Sequence, residues 1–125
     1  MAANDKYYKE KFTSIVNVLK TNSAKLKASG IAIAGSRARQ QQQPDSDEDI
    51  IISVAKDPSK EEFYPKLMQV LKNNFQHWEV YPGDNYNVVH MRDPKTDGII
   101  DLALRTEKEF DKQHGNDVKY RKKYL

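Results

Sequence analysis

Six consecutive residues, Asp49-Ile50-Ile51-Ile52-Ser53-Val54, constrain the fold of this chain more than any others. Three β-branched side chains in a row, with no polar alternation, suit a strand covered on both faces, which places it in the middle of a sheet. Such a strand needs apolar partners above and below. At 125 residues, with 38% hydrophobic residues, the chain has enough of them for one modest core and too few for two. The expectation is therefore one domain over residues 1–125.

Elements on either side of that strand follow from periodicity. Tyr8, Phe12, Ile15, Leu19 and Leu26 recur at steps of three, four and seven, which predicts an amphipathic helix over residues 5–28 with Gly30 as its stop. Ile31-Ala32-Ile33-Ala34, between Gly30 and Gly35, reads as a short buried strand. Ser59 and Glu62 have capping-box spacing for a second helix carrying Phe63, Leu67, Val70 and Leu71, with a kink or a late start expected at Pro65. Residues 78–81, 86–91 and 99–104 read as three further strands, the last two joined by the turn-rich Asp93-Pro94-Lys95-Thr96-Asp97-Gly98. Thr106 and Glu109 form another capping box, and the segment from Val118 to Leu125 is expected to be helical. The predicted class is α/β (α+β): a mixed sheet of about five strands with helices packed on it.

Composition excludes several functions. There are no cysteines, which removes disulfide frameworks and thiolate zinc sites. No apolar run approaches membrane-spanning length and the first residues lack a signal-peptide core, so a soluble, cytoplasmic protein without membrane partners is expected. The net charge of +3 and a sequence pI near 9.0 give a mild bias toward anions such as nucleotides or nucleic acid. Lysines and arginines gather toward both ends, while Asp45, Asp47, Glu48 and Asp49 gather in the middle, immediately ahead of the isoleucine run.

That acidic cluster carries the chemistry. Asp47 and Asp49 stand at i and i+2 at the opening of a strand, so both carboxylates point to one face, where their repulsion calls for a cation. A pair of hard oxygen ligands suits Mg²⁺, which takes few protein ligands and shares its remaining positions with phosphates. Upstream, a strand runs into Gly35-Ser36 and then Arg37-Ala38-Arg39, a strand-to-helix corner whose free N–H groups favour a phosphate. Asp101 is a lone charge inside Ile99-Ile100-Asp101-Leu102-Ala103-Leu104, costly to bury unless paired or metal-bound. By contrast, His90 lies in an apolar strand and is read as a packed or half-exposed histidine, with His77 and His114 at no ligand spacing from it. Trp78, Tyr81 and Tyr86 are read as core or edge aromatics. The basic and aromatic Lys119–Tyr124 tail is read as a solvated end rather than a nucleic-acid contact.

The run Gly35-Ser36-Arg37-Ala38-Arg39, a loop, then Pro44-Asp45-Ser46-Asp47-Glu48-Asp49 and an apolar strand resembles the nucleotidyltransferase superfamily of DNA polymerase beta. It is most similar to the small, stand-alone minimal nucleotidyltransferases. The resemblance is close over residues 31–54 and looser around Asp101. Two departures are Glu48, where the family usually has an apolar residue, and the Gln40–Gln43 loop. The resemblance implies a nucleotidyltransferase-like fold and transfer of a nucleoside monophosphate, AMP being the first expectation, from a nucleoside triphosphate to an acceptor hydroxyl. It further implies two Mg²⁺ ions, with Mn²⁺ able to substitute, held by Asp47, Asp49 and Asp101. Gly35 and Ser36 would bind the triphosphate, with Arg37 or Arg39 neutralising it, and Asp101 would serve the acceptor hydroxyl. Small members of the family often work with a separate helical protein, so a helical partner or a homodimer is expected to help present the acceptor. The competing expectation is a non-catalytic module of the same fold that binds nucleotide or nucleic acid through its basic ends; a structural subunit of a larger assembly is a third.

Overall fold

The structure, a computed structural model, describes residues 5–33, 49–58, 62–83, 87–110 and 122–123. Helix α1 spans Asp5–Thr21 and buries Phe12, Ile15, Val16 and Leu19, the face that the periodicity marks. It stops earlier than residue 28. The Asn22 side chain donates to the Val18 carbonyl at 2.8 Å, alongside its own backbone N–H, so the last turn closes on a side-chain amide. A short helix α2, Ser23–Leu26, follows, and Lys27 adopts the left-handed conformation, φ 54°, that ends it. Strand β1, Ala28–Ile33, therefore begins before Gly30. Gly30 is needed for room instead of as a helix stop: a Cβ there would stand 3.2 Å from the Phe110 ring and from Ser53 Cβ.

Strand β2, Ile50–Val54, is buried along its whole length, as the isoleucine run predicts. Helix α3, Phe63–Asn74, places Pro65 in its first turn, where a backbone N–H has no intrahelical acceptor, so no kink is required. The proposed cap Ser59 lies outside the described residues. Strands β3 (Glu79–Pro82), β4 (Val88–Arg92) and β5 (Ile99–Thr106) complete the main sheet. Thr106 Oγ1 accepts the Glu109 N–H at 3.3 Å and caps a helical turn at 107–110, as the Thr106–Glu109 spacing predicts. The expected C-terminal helix is corrected at its end. Lys122–Lys123 form β6, which pairs antiparallel with Ala32 and Ile33 and gives the open backbone edge of β1 a partner.

The sheet order is β3-β4-β5-β2-β1-β6. All neighbours are antiparallel except β2 and β5, which run parallel with Ile50 opposite Leu102 and Ile52 opposite Leu104. This is a mixed α/β architecture. One sheet face carries Ile50, Ile52, Val54, Val89, Met91, Ile100, Leu102 and Leu104 against Phe12, Ile15, Leu19, Leu67 and Leu71 of α1 and α3. The opposite face has a smaller apolar patch of Ala32, Ile51 and Phe110, and polar side chains beyond it. No helix among the described residues is long and apolar enough to cross a membrane.

The β4–β5 hairpin is tied to α1 through a buried carboxylate. Asp93 accepts the Lys95 N–H on Oδ1 at 3.0 Å and the Tyr7 hydroxyl on Oδ2 at 2.5 Å. Its N–H donates to the Gly98 carbonyl, and Asp97 takes φ 60° to close the turn. Burial by itself pushes Asp93 up, but the Tyr7 and Lys95 hydrogen bonds, with His77 and Lys11 nearby, outweigh it and hold the group below the ordinary carboxylate value. Burial and the Asp93 contact push Tyr7 to about 12. A depressed carboxylate contributes stability above its unfolded pKa, about 3.9, and loses it as pH falls through the folded value. Tyr7 works in the opposite sense, its contribution being lost as pH rises through about 12. Tyr7→Phe is expected to cost about 1.5–3 kcal/mol in urea denaturation at neutral pH. It also lets the Asp93 pKa rise, so acid unfolding should begin at higher pH than in the wild type.

Candidate active site

The parallel pairing of β2 with β5 brings two of the predicted carboxylates together. Asp49, immediately ahead of β2, donates its backbone N–H to the Asp101 carbonyl at 2.8 Å. In return the Asp101 N–H donates to Asp49 Oδ2 at 2.9 Å, across a sequence separation of 52 residues. The side chain of Asp49 therefore closes the ladder at the strand entrance, and the residue is only 2% exposed. Along β5, Ile100, Leu102 and Leu104 turn to the helix-covered core, so Asp101 faces the other side with its side chain 25% exposed.

On that face Asp101 has a neighbour the sequence reading does not assign to the site. His90 of β4 stands opposite Asp101 in register, and its Nδ1 lies 2.5 Å from Asp101 Oδ1. An ionised carboxylate only accepts, so the proton of this contact belongs on Nδ1. One strand further out, Tyr81 of β3 stands opposite His90, their rings 5.2 Å apart and tilted by 35°. Gly83 stands beside the other ring nitrogen: a Cβ there would lie 3.2 Å from His90 Nε2 and 3.1 Å from Val88. Tyr81, His90 and Asp101 thus form a row across three adjacent strands, with Asp49, just ahead of β2, next in line.

Of the other predicted site residues, Gly35, Ser36, Arg37, Arg39 and Asp47 lie outside the described residues. Tyr86, which the sequence groups with Tyr81, does too. Trp78 is a core residue, 7% exposed. Among the described residues no group of three or more histidines or carboxylates is placed to hold a metal ion; the described part of the candidate centre is the Asp49–Asp101 pair. His90 could have been found from the pattern. Alternation in β4 puts it on the face opposite Val89 and Met91, and counting outward from the turn at residues 93–98 pairs it with Asp101.

No family model, curated protein or solved structure matches this chain. The site has to be interpreted from its own chemistry.

Asp49 and Asp101, neighbours in the ladder, carry hard oxygen donors of the kind that suits a divalent cation such as Mg²⁺. The same contacts have a structural consequence. Asp49→Ala removes the acceptor of a buried-edge N–H on β5 and is expected to cost about 1–3 kcal/mol in denaturant unfolding, whereas Asp49→Asn, which keeps an acceptor at that position, should fall well short of it.

Proposed function

We propose that this protein is a metal-dependent nucleotidyltransferase, moving a nucleoside monophosphate, with ATP as the first donor to test, onto an acceptor hydroxyl. The observation that carries this reading is the juxtaposition of Asp49 and Asp101 on adjacent parallel strands. Asp49 closes the ladder, but a second acid beside it adds repulsion, and each member resists burial. Placed at a cation they become useful. Asp47, two residues ahead of Asp49 in the sequence, would be the third donor.

In this reading Asp47, Asp49 and Asp101 would hold Mg²⁺ or Mn²⁺, which when bound neutralises phosphate charge and acidifies a coordinated hydroxyl. Gly35 and Ser36 would hold the triphosphate through backbone N–H groups and the serine hydroxyl, with Arg37 or Arg39 adding positive charge. Asp101, the more exposed of the two described carboxylates, is the one able to meet an incoming acceptor and take its proton. The remaining catalysis would be positioning: the acceptor oxygen held in line with the α-phosphorus while pyrophosphate departs. A helical partner protein or a second copy of this chain would present the acceptor, and the nucleoside triphosphate supply implies work in the cytoplasm.

Isothermal titration with ATP, with and without Mg²⁺, tests the reading. Binding is expected only with the metal. Asp101→Asn should lower nucleotidyl transfer by roughly a hundredfold or more, because several kcal/mol of charge stabilisation are withdrawn. Metal-independent, salt-sensitive binding that ignores both Asp49→Asn and Asp101→Asn would instead identify a non-catalytic module bound through basic residues.

A further inference from the structure

Building on that reading, we propose that His90 is a positioning residue for Asp101: its Nδ1–H fixes one carboxylate oxygen so that the other is presented to the metal. An aspartate side chain has a broad, roughly two-fold χ2 distribution, and a strand holds only its backbone. Asp101 Oδ1 is engaged by His90 at 2.5 Å. Among the described residues Oδ2 accepts no hydrogen bond, and the side chain is 25% exposed on that face. One oxygen is anchored and one is open, which is the disposition a single-oxygen ligand needs.

The imidazole is itself held on two sides. Asp101 takes Nδ1 and the Tyr81 ring lies 5.2 Å away, while Gly83, lacking a side chain, leaves room beside Nε2. That arrangement separates positioning from proton transfer by His90. A histidine oriented by an aspartate can act as a base through its second nitrogen, but here Nε2 lies near Gly83, beyond β3, while Asp101 stands on the opposite flank of His90. Nor does stability explain the pair well. With side chains 29% and 25% exposed, an isolated ion pair would contribute little to folding. The hydrogen bond operates with a charged imidazole and equally with the neutral tautomer that keeps its one proton on Nδ1. What His90 supplies is direction.

Mn²⁺ binding, followed by the loss of the free aquo-ion signal in electron paramagnetic resonance, tests this without requiring turnover. The set is wild type, Asp101→Asn, His90→Phe, His90→Asn and Gly83→Ala, each checked for folding by thermal melting. His90→Phe keeps a ring against Tyr81 but no donor, and should weaken Mn²⁺ about 10–100-fold. His90→Asn sets an amide donor near the place of Nδ1 and should recover most of that loss. Gly83→Ala presses on the imidazole from the far side and should give an intermediate loss; it decides the matter if His90→Phe does not fold. In nucleotidyl transfer at saturating Mn²⁺ the His90→Phe loss should fall on kcat, with KM for the triphosphate nearly unchanged. Wild-type Mn²⁺ affinity in His90→Phe beside weakened binding in Asp101→Asn would overturn the positioning role and leave the nucleotidyltransferase reading standing. Equal losses in His90→Asn and His90→Phe would also overturn it. A wild-type protein that binds no Mn²⁺ would remove both.

Discussion

One parallel pairing, β2 beside β5, organises this molecule. Every other neighbour relation in the sheet is antiparallel, and antiparallel neighbours can be joined by tight turns. A parallel neighbour requires a crossover, and here the crossover contains α3, β3 and β4. Its result is that the entrance of β2 lies beside the third residue of β5, so two acids distant in sequence share a register. The Asp49 side chain then finishes the ladder by accepting the Asp101 N–H. A slip of one residue in β5 would send Asp101 into the core and Ile100 or Leu102 out to the polar face, at a prohibitive cost in burial. The position of Asp101 is thus enforced by the apolar residues on either side of it.

Residues that read correctly from sequence are those whose local pattern and tertiary environment agree. Ile50 to Val54 could hardly be anything but an interior strand, and it lies between β1 and β5. Asp101 was conspicuous because it interrupts an apolar run, and the alternation that hides its neighbours is what exposes it. Helix α1 was legible in its face and not in its end. Asn22 and Lys27 terminate the helical region by a side-chain amide and a left-handed backbone, choices that propensity does not favour over continuing to Gly30. Gly30 looked like a stop signal and is a packing accommodation for Phe110, which only the folded chain reveals. The segment at residues 122–123 joins the sheet because β1 has an edge to fill, a demand set by tertiary structure and invisible in Lys-Lys itself.

His90 is the instructive omission. Treated as one residue in an apolar strand, it carries no functional signal, and most such histidines are simply packed. Its meaning comes from the hairpin. Once the turn at residues 93–98 is fixed, Arg92 meets Ile99 and His90 meets Asp101, so the polar members of the two strands coincide on one face. Strand pairing about that turn is enough to set histidine opposite aspartate. The same step places Tyr81 opposite His90. Polar and aromatic side chains spread over three strands look unrelated in one dimension because strand pairing, not sequence spacing, makes them neighbours.

The same hairpin links the stability of the fold to the geometry of the site. Its turn is pinned from outside by Tyr7 of α1, whose hydroxyl reaches the buried Asp93 carboxylate, while the Asp97 left-handed residue sets the loop length. Loop length fixes register, and register decides whether His90 or one of its apolar neighbours stands opposite Asp101. Asp101 is therefore constrained by two different means: its main chain by Asp49 on one flank, its carboxylate by His90 on the other. The first contact belongs to the sheet and persists as long as the sheet does. The second depends on the register of a hairpin held by one helix, so perturbations at Tyr7 or Asp93, remote from the acids, would reach them through the orientation of a single imidazole.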